Sequence, residues 1–113
     1  MKKSDKKIEN TLRLALTEVC EIALDEVAGF KWLTHLVNYS TFPSSLAVVC
    51  VFDTNHDLSN ALAAHKDDDL YSLINDKLSA AGVQLKNVRQ HVSFDTEEAC
   101  DYDNGGKWHE RLK

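Results

Sequence analysis

Proline occurs once and glycine four times in 113 residues. That scarcity favours long regular elements over a loop-rich scaffold. Cysteine occurs three times, at Cys20, Cys50 and Cys100, an odd number with no C-x-x-C spacing. No disulfide framework follows from such a set, and three reduced thiols in a cytoplasmic protein are expected. No run approaches the roughly eighteen apolar residues of a membrane span, and no apolar core follows the first lysines as in a secretory signal. The H-x-x-x-H, H-E-x-x-H, G-x-S-x-G, G-x-G-x-x-G and P-loop patterns are all missing. Zinc, serine-nucleophile and dinucleotide chemistry therefore have no local support, and no cofactor is expected.

Positive charge is also in short supply. The net charge is −5, which argues against a surface made throughout for phosphate backbones. Lys2, Lys3, Lys6, Lys7 and Arg13 place five of the thirteen basic residues at the start of the chain, so the remainder is distinctly acidic.

What is present is enough for one domain. A hydrophobic fraction of 43% in a chain of this length builds a core without staples. Its organising stretch is Ser45 to Thr54, the longest apolar run, rich in β-branched and aromatic residues and bounded by Pro43 and Asp53-Thr54-Asn55. Leu46, Val48, Cys50 and Phe52 fall on one face; Ala47, Val49 and Val51 fall on the other. A strand apolar on both sides is central and covered on both sides.

Before it, apolar residues recur at Ile8, Leu12, Leu16, Val19, Ala23 and Val27, the period of a helix about 36 Å long. Ser4 is its expected N-cap and Gly29 its C-terminal stop. Phe30 to Ser40 reads as extended, and the brief turn at Pro43 predicts an antiparallel hairpin with the central strand.

Thr54 and Asp57 then signal a cap for a short helix through Leu58, Ala61 and Leu62. Asp67-Asp68-Asp69 opens a second long helix with the stripe Leu70, Ile74, Leu78 and Ala81, which Gly82 closes. Val83 to Phe94 is expected as a third strand, parallel to the second because helices return the chain. Asp95 and Glu98 signal a further cap, followed by a short helix through Ala99 and Cys100, and Lys107 to Leu112 is at most one more turn. The predicted fold is α+β: a two-layer sandwich of order α-β-β-α-α-β-α, with a three-stranded mixed sheet under the two long helices.

Several residues are candidates for chemistry. Val51-Phe52-Asp53-Thr54 is echoed by Ser93-Phe94-Asp95-Thr96, each ahead of a helix. Parallel strands would bring Asp53 and Asp95 to one edge of the sheet. With Glu98, and with His56 or Glu97 nearby, they would suit Mg²⁺ or Mn²⁺ in phosphoryl transfer. The competing reading is that these acids and threonines only cap helices. Lys2, Lys3, Lys6 and Lys7 are the candidates for nucleic-acid contact. Cys100 and His109 flank the Gly105-Gly106 turn, but two ligands do not make a metal site. Trp32 is expected in the core, while Trp108 either folds back on the domain or anchors a partner.

Gly29 to Tyr39, Val49 to Thr54 and His91 to Cys100 resemble segments of a small family of uncharacterised bacterial proteins that often carry the label of a Fis-type transcriptional regulator. The likeness covers most of the chain, including its Lys-rich start. The label implies a DNA-binding dimer with a C-terminal helix-turn-helix. Here that region reads as a strand, Val88 to Phe94, followed by Asp95, Glu97, Glu98, Asp101 and Asp103, which phosphates would repel. No site residue carries over.

The expected function is that of a non-enzymatic cytoplasmic binding or regulatory protein, acting through protein contacts and with a homodimer as one expected assembly. The alternatives are a DNA-binding regulator using the N-terminal lysines and a metal-dependent phosphoryl-transfer enzyme using Asp53 and Asp95.

Overall fold

The computed structural model describes residues 2–112. Helix α1 (Lys3–Glu26) is followed by strands β1 (Phe30–Leu36) and β2 (Ala47–Phe52). Helices α2 (Asn55–Ala63) and α3 (Lys66–Ala80) lead to β3 (Val92–Thr96), α4 (Glu97–Asn104) and α5 (Trp108–Arg111). β2 lies in the middle of a three-stranded sheet, antiparallel to β1 and parallel to β3. The α+β order and the mixed sheet are those the apolar patterning predicts. Among the described residues no helix is long and apolar enough to cross a membrane.

The two faces of β2 are buried by different means. Val48, Cys50 and Phe52 join Leu12, Leu16, Val19 and Ala23 of α1 and Leu70, Ile74 and Leu78 of α3 in the main core. Phe52 meets Phe30 edge-on, with ring centroids 6.0 Å apart. Val49 and Val51 point the other way and are buried too. Val51 has Trp32 as its partner on β1 and Asp95 as its partner on β3. The row Trp32–Val51–Asp95 thus crosses all three strands.

Several boundaries differ from those the sequence predicts. α1 begins at Lys3 and its N-cap is Lys2, with no side-chain cap, so Ser4 lies within the first turn. It ends at Glu26 with Val27 as C-cap. Gly29 instead makes the turn into β1, at φ +85°.

β1 stops at Leu36, because the Asn38 side chain accepts from Ser40 N and turns Tyr39–Thr41 into a 3-10 helix. α3 starts at Lys66, after His65 in a left-handed conformation.

The largest correction concerns β3, which covers Val92–Thr96 and not Val83–Phe94. Asn87 accepts from Arg89 N and curls Val88–Gln90 into a 3-10 turn. Arg89 reaches Asp68 of α3 and lies over the Tyr71 ring, 4.5 Å from its centroid. Helix α3 thus draws off a segment whose local alternation resembles a strand.

Candidate functional site

The chemistry-bearing residues of the sequence converge where β2 and β3 end and α2 and α4 begin. Both helices start at a threonine. Thr54 Oγ1 accepts from Asp57 N at 3.0 Å, and Thr96 Oγ1 accepts from Ala99 N at 2.9 Å. Thr96 is the cap of α4, so the predicted capping role of Asp95 is corrected: Asp95 stays in the strand. Thr96 is fully buried, and its hydroxyl also donates to Asn55 Oδ1. That bond ties the first turn of α2 to that of α4. Glu98 reinforces the tie, its carboxylate accepting from Asn55 N at 2.9 Å. An acid at a helix N-terminus satisfies a free N–H and the positive end of the dipole together.

The two echoed motifs are out of step in the sheet. Phe52 pairs with Thr96 and Val51 with Asp95, so Asp53 lies two residues further along than Asp95. Two residues of strand are about 6.6 Å. Asp53 is exposed; its N–H donates to Gly29 O and its carbonyl accepts from Glu98 N.

Asp95 is bound from the opposite direction. Arg111 of α5 donates to both its carboxylate oxygens, Nε to Oδ2 at 2.6 Å and a terminal nitrogen to Oδ1 at 3.0 Å. The same guanidinium reaches Asp103, Asn104 and the Ala99 carbonyl. Its pKa is raised, first by the bond to Asp95 and then by Asp103.

Glu97 completes the arrangement by accepting from two indoles, Trp32 Nε1 at 2.5 Å and Trp108 Nε1 at 3.3 Å. The two tryptophans meet edge to face, with centroids 4.9 Å apart. α5 therefore grips both ends of the row across the sheet, Trp108 at Trp32 and Arg111 at Asp95. Of the two roles open to Trp108, the structure displays the folded-back one.

This arrangement has a clear chemical consequence. The Arg111 guanidinium and the Thr96 N–H together take most of the lone pairs of Asp95, and the cationic guanidinium beside them opposes a second cation. Glu97 is held by two indoles and Glu98 by a backbone amide. Among the described residues no group of three or more His, Cys, Asp or Glu side chains is placed to hold a metal ion. The three thiols are free; burial pushes Cys50 up to about 12 and also raises Cys100, which disfavours the nucleophilic thiolate. His109 is exposed on α5.

At the far end of the sheet, Glu9 of α1 accepts from the Tyr39 hydroxyl at 2.6 Å and lies 3.1 Å from His35 Nε2. The Tyr39 bond, chiefly, lowers the Glu9 pKa. Lys2, Lys3, Lys6 and Lys7 are exposed on the first turns of α1.

Sequence reasoning missed Arg111, the joint hold of Glu97 on two tryptophans, and the Glu9–His35–Tyr39 cluster. A lone arginine after the acidic run Asp95 to Asp103 is the available signal for the first. The others join residues far apart in the chain and leave no local trace.

A scan against protein-family models finds no match, and comparisons with curated proteins and with solved structures likewise find none.

Proposed function

We propose that this is a binding or regulatory protein of the cytoplasm that acts through contacts with other proteins and carries out no reaction of its own. One observation carries the reading: of the acids the sequence offers for catalysis, Asp95 and Glu97 are spent on holding α4 and α5 against the sheet and Glu98 on tying α4 to α2, while Asp53 lies exposed and out of register with Asp95. Groups committed in this way build a rigid frame, and a rigid frame suits surface recognition. Three reduced cysteines fit a reducing compartment. DNA binding through the four exposed lysines is the second reading, favoured by their clustering on α1 and opposed by the acidity of the rest of the surface.

Calorimetric titration with Mg²⁺ and with Mn²⁺ tests the leading proposal. No saturable heat is expected from either ion. Saturable binding lost in Asp95→Asn would return the acids to catalysis and overturn it. Duplex DNA binding that weakens steeply with salt, and disappears on deletion of residues 1–7, would select the second reading.

A further inference from the structure

The outward face of α1 has a symmetry that its role in the fold does not require. The helix buries Leu12, Ala15, Leu16, Val19 and Ala23. On the opposite side, at 100° per residue, Lys3, Lys7, Leu14, Glu21 and Asp25 fall within about 20° of one line. All five are exposed, and Leu14 at 71% is among the most exposed large apolar side chains. Leu14 also lies at the midpoint of a helix running from Lys3 to Glu26. The line is thus basic on one side of a central leucine and acidic on the other, at matched spacings: Lys7 and Glu21 seven residues away, Lys3 and Asp25 eleven.

We propose that this face pairs with the same face of a second copy, the two α1 helices running antiparallel about a two-fold axis at Leu14. The inference rests on the reading of the molecule as a protein-binding module and names one partner. An antiparallel pair sets residue i against residue 28 − i. Lys3 then meets Asp25 and Lys7 meets Glu21, each pairing occurring twice by symmetry, and Leu14 meets Leu14 once, on the axis. A parallel pair would set like charges against each other, so the charge pattern selects the direction.

The helix itself gains nothing from these charges. Lysines at its N-terminal end and acids at its C-terminal end both oppose the macrodipole. In the antiparallel pair each acquires an opposite neighbour and the two dipoles oppose. Beside Leu14, between α1 and α3, a groove of about 390 Å³ lined in part by Ala15, Ala80 and Ala81 is open to a side chain of the second copy.

Sedimentation equilibrium on the full chain, with charge-swapped variants, tests the pairing. A dimer is expected at low salt, its dissociation constant rising at least tenfold between about 50 and 500 mM salt. Lys3→Glu with Lys7→Glu, and separately Glu21→Lys with Asp25→Lys, should each weaken self-association at least tenfold. Mixing the two variants should restore association as a heterodimer, because every pairing is then opposite again. Circular dichroism of each variant verifies that the fold is kept.

A chain that stays monomeric at low salt and high micromolar concentration would overturn the proposal. So would a dimer indifferent to the swaps, or variants that fail to complement. None of these results bears on the metal titration, so failure of the pairing and failure of the binding-protein reading remain separate.

Discussion

Glu9 shows how a single side chain acquires its properties from residues remote in sequence. Its carboxylate accepts from the Tyr39 hydroxyl, and that bond, more than the neighbouring His35, holds its pKa below the ordinary value of 4.5. The folded pKa is the lower one, so the contribution to stability is present above the unfolded pKa and is lost as pH falls through the folded one. Tyr39→Phe is therefore expected to be less stable than the native chain at neutral pH. The gap should narrow as the medium is acidified below about pH 4.5, because the protonated acid no longer needs the phenol. Urea midpoints measured across that range check the prediction; a gap independent of pH would place the effect of Tyr39 elsewhere. Nothing in the local sequence around Glu9 foreshadows this.

At the scale of elements, the apolar period decides most of what forms. The stripes of α1 and α3 and the unbroken run of β2 appear where their spacing places them, because each is long and its buried face is continuous. Boundaries are another matter. Val83 to Gln90 alternates well enough for a strand, yet Asn87 and the pull of Asp68 on Arg89 curl its last part away from the sheet. A local side-chain bond and a partner on α3 together override the segment's own alternation.

The α1–β1 junction is tighter than its sequence suggests. Gly29 has φ +85°, and a Cβ there would come within 2.5 Å of the Asp57 Cβ. Gly29→Ala must therefore bear both a left-handed backbone and a clash with α2, with an expected cost of about 2–4 kcal/mol. Urea denaturation measures it; a cost under about 0.5 kcal/mol would mean that the turn rearranges freely.

On the scale of the whole molecule, the sheet is closed from both sides by unlike devices. One side is a hydrophobic layer of two helices; the other is a small polar and aromatic clasp, Trp108 on Trp32 and Arg111 on Asp95. Arg111 and Asp95 are about one-fifth exposed, sheltered enough for a charged bidentate bond to count. Arg111→Ala removes both charged bonds to Asp95, whose carboxylate keeps only the Thr96 N–H, at an expected cost of about 1–3 kcal/mol. Release of α5 should also move the tryptophan emission to longer wavelength as Trp108 leaves Trp32. Unchanged emission together with unchanged stability would show that the clasp holds nothing.

Local chemistry along the chain determined the kinds of elements, their order, the central place of β2 and the threonine that starts α2. Each of those follows from spacing or from a bond spanning three residues. Tertiary structure alone decided the fate of the acids. Parallel pairing set Val51, not Asp53, beside Asp95. An arginine sixteen residues downstream then claimed that carboxylate. Strand register and long-range ion pairing depend on how separate segments pack, and no periodicity within one segment encodes either.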